Sequence, residues 1–288
     1  MQGEYLRERG CASQTWRPHL RLERPLTGRE ASSENRWRDG YAWLAGGTWL
    51  FSEPQVKTDT LIDLASLGWS SLSPSAKGLD IAATCTIAEL ERFKTPADWK
   101  AGSLLRECCR ALLASFKIWN AATVGGNICM SLPASPMVSL TVALEAVFTL
   151  WPRGAAPREV RAVDFVTGNH QNVLRPGELL RNIHLPADAL AKTHAFRRAS
   201  LTHLGRSTVL LIGTRAPQTG AMRLTVSAAT ARPVQLAFER VPSAEELRHA
   251  LDTGIPDALY FDDVHGSPAY RRHLTYYFGE QIRQEIGR

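Results

Sequence analysis

The chain contains 288 residues, of which 44% are hydrophobic and 22% are charged, so it is long enough to bury a sizeable core. Its formal net charge is +6, but the Lys and Arg residues are dispersed and form no basic stripe with interleaved aromatics, which excludes a typical nucleic-acid-binding module. No stretch approaches the roughly 18 uninterrupted apolar residues that a membrane helix requires, so we expect partners other than nucleic acid or membrane.

The first 38 residues are predicted to form an N-terminal arm. They are rich in Arg and are interrupted by Pro18 and Pro25, a composition typical of a segment with little packing of its own. The opening residues carry charge where a signal peptide needs an apolar run, and this favours a cytoplasmic protein.

Residues 39–188 alternate between strand and helix patterns. Thr86 and Glu89 have capping-box spacing and predict a helix start, whereas the stretch over residues 118–136 predicts a loop. A short helix is predicted directly after Thr48. The other predicted elements are strands over 41–47, 60–64, 78–83, 146–151, 160–165 and 179–186, and helices over 101–116 and 136–145.

Residues 189–288 have a different character. A capping box at Ser243 predicts one helix, and Ser267 followed by Pro268 predicts a second. These helices follow alternating apolar segments, so the pattern indicates a three-stranded sheet with helices on one face. The predicted strands cover residues 196–200, 208–214 and 222–230.

The five cysteines are odd in number and show no C-x-x-C spacing, so neither a zinc site nor a disulfide framework is predicted. Cys108 and Cys109 fall in a helical pattern, where adjacent side chains point to different faces. Buried thiols are therefore favoured over a redox pair. The remaining three are Cys11, Cys85 and Cys129.

Two glycine pairs are the features that point to a ligand. Gly46-Gly47 follows a strand and precedes Thr48, and Gly125-Gly126 follows Thr123. Backbone amides without side chains can approach a phosphate closely, so the two pairs together could hold a diphosphate. The alternative is that each pair only makes a tight turn. The Rossmann and P-loop glycine patterns are absent.

Six ordered segments give the chain a family resemblance. It resembles the FAD-binding subunit of molybdenum hydroxylases, the group that contains xanthine and carbon monoxide dehydrogenases, over roughly residues 40 to 285. The segment around the second glycine pair is the most specific. The segments are AGGTWL, LIDL, LDIAATCTIAEL, NAATVGGNICMSLPAS, PGELLRNIHLP and SPAYRRHL.

The resemblance implies an α+β fold. It implies a two-lobed FAD-binding domain of the vanillyl-alcohol-oxidase (PCMH) type over residues 39–188, with FAD between the lobes. A small α+β C-terminal domain of the carbon monoxide dehydrogenase flavoprotein type would occupy residues 189–288, and residues 1–38 would remain an arm.

The resemblance also implies which residues contact FAD. The two glycine segments would hold its diphosphate, Leu180 would lie near the flavin ring, and the charge of Arg197 would favour electron-rich flavin. The segment over residues 199–206 would border the flavin. The full implied set is Ala45, Gly46, Gly47, Thr48, Thr123, Gly125, Gly126, Asn127, Ser135, Leu180 and Arg197.

Three departures from the family pattern bear on FAD binding. Trp49 stands where the family commonly has Asp, Trp119 replaces an Arg, and Pro136 replaces an Asp that usually contacts the adenosine ribose. The resemblance then implies weaker FAD binding, or transfer of the ribose contact to Ser135 or to backbone.

The function implied by the resemblance is electron transfer. Electrons would pass from a [2Fe-2S] subunit, which serves a molybdopterin subunit, through FAD to NAD+, oxygen or another acceptor. The chain itself shows no catalytic nucleophile, acid-base pair or metal cage. A scaffold or assembly protein that has lost the flavin stays open as an alternative, whereas an independent flavin oxidase lacks a candidate residue for flavin attachment.

Other conspicuous side chains are expected to serve structure. The tryptophans near the glycine segments are expected to pack in the core rather than stack on a ring. Arg271 and Arg272 are expected to hold the C-terminal domain together. Four histidines have no partner at motif spacing and are expected to be surface or strand residues, namely His170, His184, His194 and His203.

Overall fold

The structure is a computed structural model that describes residues 21–23 and 37–288. Most of the predicted N-terminal arm therefore lies outside the described residues, and so does Cys11. The described part of the arm is residues 37–38 and strand β1, Arg21–Glu23, which pairs in parallel with residues 60–62. This stretch of the arm thus belongs to a sheet.

A small parallel sheet forms the first lobe. Strand β1 lies beside β3 (Thr60–Asp63), which in turn pairs with β2 (Tyr41–Leu44). The carboxylate of Asp63 accepts a hydrogen bond from the Ala65 amide and so begins a single 3₁₀ turn, Leu64–Leu67. The strand predicted over 60–64 is confirmed, and the strand predicted over 41–47 is confirmed only as far as Leu44.

The connection between β2 and β3 contains turns instead of the short helix predicted after Thr48. The Phe51 amide donates to the Gly47 carbonyl and the Ser52 amide to the Trp49 carbonyl. Two glycines before this point and Pro54 after it disfavour continuation into a helix.

A larger lobe follows, built on a five-stranded antiparallel sheet with helices against one face. The sheet has the order β4-β5-β10-β6-β7, and a small hairpin of β8 and β9 lies apart from it. In chain order the elements are β4 (Leu72–Ser75), β5 (Gly78–Ala82), α1 (Ile87–Arg92), α2 (Ser103–Ala111), α3 (Phe116–Ala121), α4 (Val124–Met130), α5 (Pro136–Ala143), β6 (Val147–Trp151), β7 (Arg158–Arg161), α6 (Ala162–Phe165), β8 (Val166–Gly168), β9 (Gln171–Asn172), β10 (Leu179–Pro186) and α7 (Ala187–Leu190).

Helix α5 is the centre of this lobe, because every one of its residues is buried. A helix that is apolar on all sides requires packing partners all around it. It contacts α2 and α4, and also the strands of the C-terminal domain. The sheet contributes the buried side chains of Leu79, Ile81, Phe148, Leu150, Ile183 and Leu185.

Two sequence predictions in this lobe are wrong. Residues 118–136 were expected to form a loop, but they include most of α3 and all of α4. Ser115 and Thr123 accept hydrogen bonds from amides of the first turns of these helices and so cap them. Residues 160–165 were expected to be a strand, but they end β7 and then form α6.

The C-terminal domain contains a four-stranded antiparallel sheet in sequential order, not the three-stranded sheet predicted. The missed strand follows Pro233 and buries only its first residue, Val234, so its apolar pattern is weak. The elements are β11 (Thr193–Ala199), β12 (Val209–Arg215), β13 (Met222–Ser227), β14 (Val234–Phe238), α8 (Ala244–Gly254) and α9 (Pro268–Ile286).

The capping predictions are confirmed. Thr86 and Ser243 each form a complete capping box with a glutamate three residues later. Ser267 accepts a hydrogen bond from the Tyr270 amide, and Pro268 occupies the first turn of α9.

Cys85, Cys108 and Cys109 are fully buried, as predicted for structural thiols. Burial raises the pKa of Cys109, with a further contribution from Glu91, to about 12. Burial alone raises the pKa of the half-buried Cys129 to about 12. These thiols therefore remain protonated and unreactive at neutral pH.

Buried polar contacts join the C-terminal domain to the larger lobe. The hydroxyls of Ser139 and Ser227 lie 2.6 Å apart, and the Gln235 side chain donates to the Val142 carbonyl. These contacts fix the sheet of the C-terminal domain against α5. No helix among residues 37–288 is long and apolar enough to cross a membrane.

Candidate functional site

The first glycine pair lies where the small lobe meets the larger one. A Cβ atom on Gly46 would lie 1.8 Å from the carbonyl oxygen of Ala121, at the end of α3. Gly47 has a φ of +68°, a left-handed conformation that suits glycine. Both glycines are therefore required by the local geometry, one by close approach and the other by its backbone angle.

The backbone N–H groups of this segment are available to a ligand. Among the described residues, none accepts a hydrogen bond from the amides of Gly46, Gly47, Thr48 or Trp49. Consecutive amides around a left-handed residue form a concave donor set that suits an anion. Here we call residues 45–49 the first glycine loop. Its first residue, Ala45, packs against the apolar cluster around Leu64 and Leu179.

The amides of the second glycine pair already have acceptors within the protein, so contact between this segment and the diphosphate stays a prediction. The Gly125 amide donates to the Ala83 carbonyl at 3.0 Å, and the Gly126 amide donates to the Thr123 hydroxyl at 3.0 Å. The Asn127 amide donates to the Thr123 carbonyl at 3.0 Å. A Cβ atom on Gly125 would lie 2.5 Å from the Ala83 side chain, so this glycine permits helix α4 to pack on the sheet.

Asn127 and Ser135 are held by each other and by the start of α5. The Ser135 hydroxyl donates to the Asn127 carbonyl at 3.1 Å, and the Asn127 side-chain oxygen accepts from the Met137 amide at 3.1 Å. Ser135 is only 1% exposed. The Ser135 hydroxyl is therefore buried and already hydrogen-bonded within the protein. This is contrary to the expectation that it could take over the ribose contact of the missing Asp.

Leu180, which the resemblance places near the flavin ring, packs in the core of the larger lobe, and its contact with the flavin stays a prediction. It is 3% exposed and faces Leu150 of the neighbouring strand. The strand is irregular between Leu180 and Asn182, and the next side chain, Arg181, places its guanidinium 4.0 Å from the centre of the Trp69 ring. At this point of β10 the Arg181 side chain is therefore more exposed than that of Leu180.

Arg197 is neutralised within the C-terminal domain. Its guanidinium donates to Gln281 at 2.9 Å and to the Glu285 carboxylate at 2.5 Å, both on helix α9. These two bonds use part of the donor capacity and charge of Arg197, and its predicted place near the flavin ring stays a prediction.

The neighbouring Arg198 points to the opposite face, as strand alternation requires. Its guanidinium donates to the Ser207 hydroxyl at 2.7 Å and to the Gly205 carbonyl at 2.6 Å. Burial lowers the pKa of this guanidinium. Among the described residues no carboxylate pairs with it, and its two hydrogen bonds fix the turn that carries Arg206.

Sequence reasoning missed a cluster of three side chains beside the first glycine loop. The Arg206 guanidinium lies 5.8 Å from the centre of the Trp49 ring, and the His170 ring lies 5.8 Å from the same ring. The three residues come from the first glycine loop, the β8–β9 hairpin and the C-terminal domain. The expectation that residues 199–206 border the flavin was a signal that could have pointed to Arg206.

Two of the histidines have carboxylate partners that sequence spacing did not reveal. His184 lies 3.0 Å from Asp80, and His194 lies 2.9 Å from Glu107. In each pair the partners are far apart in the sequence and meet through strand pairing or helix packing. Neither pair contacts the first glycine loop.

Glu178 ties the β10 end of the larger lobe to the small lobe. Its carboxylate accepts two hydrogen bonds of 2.7 Å from Arg158, and its carbonyl accepts one from the Trp43 indole at 3.2 Å. Burial alone would raise the pKa of Glu178, but hydrogen bonds from Arg158 and from the Arg175 amide outweigh it and hold the pKa below its ordinary value.

A Glu178→Gln substitution is expected to lower the free energy of unfolding by about 2 kcal/mol at pH 7, because it leaves Arg158 without its counter-charge. A lowered folded-state pKa gives stability that is present above the unfolded pKa of about 4.3 and is lost as the pH falls through the folded value. The difference between variant and wild type should therefore shrink between pH 6 and pH 3 in urea denaturation.

Glu53→Gln is the matched control, because Glu53 is an exposed carboxylate in the connection between β2 and β3. Its unfolding free energy should stay within about 0.5 kcal/mol of wild type at both pH values. A Glu178→Gln deficit that does not change with pH would contradict the assignment of the stabilising charge to Glu178.

The first glycine loop fits the diphosphate of a dinucleotide. Its two glycines leave no room for side chains, its four amides have no acceptor among the described residues, and Arg206 brings a positive charge beside it. The second glycine pair contributes a rigid helix start instead of donors. Together with the two-lobed α+β fold, this site defines a dinucleotide-binding domain of the flavoprotein class.

Comparison with known proteins gives the family. Residues 19–188 match the family described as "FAD binding domain in molybdopterin dehydrogenase". The chain belongs to this family of oxidoreductases, its cofactor is FAD, and the predicted relationship to molybdenum hydroxylases and xanthine dehydrogenases is confirmed.

Curated relatives include xanthine dehydrogenase of Oryza sativa subsp. japonica, which is 30% identical over 122 residues, or 40% of this chain and 9% of the relative. Xanthine dehydrogenase 1 of Arabidopsis thaliana is 26% identical over 153 residues, or 50% of this chain and 11% of the relative. The match thus spans about a tenth of the length of these relatives.

Solved structures confirm the α+β fold. Quinoline 2-oxidoreductase from Pseudomonas putida superposes with a TM-score of 0.77 and 21% identity, covering 93% of this chain and 97% of that chain. Carbon monoxide dehydrogenase from Hydrogenophaga pseudoflava gives 0.77 and 19%, covering 92% and 96%. Carbon monoxide dehydrogenase from Oligotropha carboxidovorans gives 0.76 and 21%, also covering 92% and 96%.

Proposed function

We propose that this chain is the FAD-binding electron-transfer subunit of a molybdenum-containing hydroxylase or dehydrogenase complex. The observation that carries the proposal is the run of four amides, at Gly46, Gly47, Thr48 and Trp49, that have no acceptor in the part of the chain that the structure describes, in a chain of the FAD-binding family. FAD supplies the chemistry, because it can take up and give back electrons one or two at a time.

The protein's own residues bind and orient the cofactor. The first glycine loop holds the diphosphate by backbone donors, and its position against α3 fixes it between the two lobes. The positively charged Arg198 is hydrogen-bonded to the turn at residues 205–207. This turn lies beside the first glycine loop, because its Arg206 contacts Trp49. We propose the FAD-binding domain at residues 39–188, the C-terminal domain at 189–288 and the arm at 1–38, whose strand β1 adds to the sheet of the first lobe.

The partners in this proposal are a [2Fe-2S] subunit and a molybdopterin subunit. The chain has five cysteines, and those at positions 85, 108, 109 and 129 are buried or half-buried thiols with raised pKa values. Cluster ligands must be deprotonated thiolates, so a partner has to supply the iron-sulfur centres. The proposed acceptor is NAD+, oxygen or another oxidant, and the proposed location is the cytoplasm.

A scaffold that binds FAD weakly is the second candidate, and specific contacts favour it. The amides of Gly125, Gly126 and Asn127 are already bonded within the chain, and the Phe51 ring lies against Gly47. The Trp119 indole donates to the Leu112 carbonyl at 2.9 Å, which is a structural role. Fewer donors for the cofactor would lower its affinity without changing the fold.

Titration of the purified full-length chain with FAD separates the two candidates. An FAD-binding subunit gives a yellow protein with a flavin absorption band after gel filtration and a saturable change in flavin fluorescence. A chain that stays colourless after reconstitution would overturn the first candidate in favour of the scaffold. Iron and molybdenum analysis of the affinity-purified complex from the native host then tests the partners, and their absence would contradict that part.

A further inference from the structure

Arg206, a charged residue of the C-terminal domain, lies beside Trp49, the aromatic residue of the first glycine loop. Its guanidinium lies 5.8 Å from the centre of the Trp49 ring. The amide of this same Trp49 is the last of the four unpaired donors. A cation from one domain thus lies beside a set of anion-binding amides from another.

The charge of Arg206 is not compensated by the protein. The side chain is exposed, and among residues 37–288 no carboxylate forms an ion pair with it and no carbonyl accepts a hydrogen bond from its guanidinium. Two other arginines of this domain, Arg197 and Arg198, already have partners within the protein. Arg197 pairs with Glu285, and Arg198 donates to Gly205 and Ser207. An aromatic face alone holds the Arg206 guanidinium, and such a contact contributes only about 0.5–1 kcal/mol at an exposed site.

The position of Arg206 is nevertheless fixed. Ser207, the next residue, is 2% exposed, and its hydroxyl accepts a hydrogen bond from Arg198. The carbonyl of Gly205, the residue before Arg206, accepts a hydrogen bond from the Arg198 guanidinium as well. Arg206 therefore projects from a turn that is anchored on both sides, with its side chain free to leave the Trp49 ring for a better partner.

A diphosphate is that better partner. Four backbone amides provide partial positive charge but no net charge, and a diphosphate carries about two negative charges that favour a formal cation. We propose that Arg206 completes the diphosphate site of FAD across the domain boundary, and that Trp49 holds its guanidinium next to the site before the cofactor binds. This inference rests on the proposed FAD-binding function.

The assignment makes Arg206 a diphosphate-binding residue and not a flavin-ring residue. Its substitution should then affect every ligand that contains the diphosphate and spare ligands that lack it. Arg206→Gln removes the charge, and Arg206→Lys keeps the charge but loses the planar fork of donors. Arg240→Gln is the matched control, because Arg240 is an exposed arginine of the same domain that pairs with Glu246.

The experiment measures dissociation constants of FAD, ADP and riboflavin for the full-length chain and its three variants, by fluorescence or calorimetry, at two salt concentrations. Arg206→Gln is expected to weaken both FAD and ADP about tenfold or more, to reduce the salt dependence of binding and to leave riboflavin unchanged. Arg206→Lys should recover part of the loss, and Arg240→Gln should bind all three ligands like wild type. Equal melting temperatures check the fold.

Wild-type affinity for FAD and ADP in Arg206→Gln would overturn the inference while leaving the proposed function intact. An equal loss for riboflavin would also overturn it, since Arg206 would then act on the ring. Failure of the wild-type chain to bind either FAD or ADP would overturn the proposed function, and this inference with it.

Discussion

A Gly46→Ala substitution is expected to weaken FAD binding by about a hundredfold or more. The added Cβ atom would lie 1.8 Å from the Ala121 carbonyl oxygen and 2.7 Å from its carbonyl carbon, and both are backbone atoms at the end of α3. Because neither atom can rotate away, the first glycine loop has to move. Overpacking of this kind costs about 1–3 kcal/mol in stability. The movement of the loop also means that its amides no longer converge on one diphosphate.

Fluorescence titration with FAD and thermal unfolding measure the two effects separately. Gly279→Ala provides the control, because its Cβ atom would meet side chains only at 3.6 Å or beyond, on helix α9. Alanine has the higher helix propensity, so this variant should gain up to about 1 kcal/mol and bind FAD normally. Wild-type FAD affinity in Gly46→Ala would show that the first glycine loop does not hold the cofactor.

The elements that sequence predicts well are those set by neighbours in the chain. The capping boxes at Thr86 and Ser243 join residues three positions apart, so their hydrogen bonds follow from the local sequence. The strand predicted over residues 179–186 has the same bounds in the structure, and its buried and part-buried positions alternate over the second half, from Asn182 to Pro186.

The segment around the second glycine pair was predicted as a loop and forms a helix, because the packing of the pair depends on a distant residue. Glycine is compatible both with a loop and with the first turn of a helix, and the sequence around it contains no feature that separates the two. Ala83 decides the outcome, because its carbonyl accepts from the Gly125 amide and its side chain leaves no space for a Cβ atom. Thr123 then caps the helix that results.

The candidate site could be predicted only in part for the same reason. The bare amides of the first glycine loop follow from two adjacent glycines after a strand, which is local information. The partners of Arg197 depend on helix α9, whose Gln281 and Glu285 hold its guanidinium from far along the chain. The contact between Arg206 and Trp49 likewise joins two domains, so no pattern within either segment indicates it.

Arg271 connects three parts of the C-terminal domain, and Arg271→Met is expected to lower its free energy of unfolding by about 3–5 kcal/mol. The side chain is 1% exposed, and its guanidinium donates to the carbonyls of Gly266 at 2.9 Å and Thr208 at 2.8 Å. It also donates to the Ala228 carbonyl and to the Asp263 carboxylate. Methionine fills a similar volume but removes the arginine donor from the three buried carbonyls, whereas the Asp263 carboxylate still accepts from the His265 amide.

Arg272→Gln is the control for that loss, because the two arginines are adjacent in α9 but differ in burial. The Arg272 side chain is 47% exposed and pairs with Asp252 and Asp257 at 3.2 Å, so its replacement should cost no more than about 1 kcal/mol. Urea denaturation followed by tryptophan fluorescence and by circular dichroism measures both variants.

The Ala228 amide donates to the Pro133 carbonyl of the larger lobe, so Arg271→Met should also loosen the domain contact and lower FAD affinity. Equal stability losses in the two variants would mean that the buried guanidinium contributes no more than a surface ion pair.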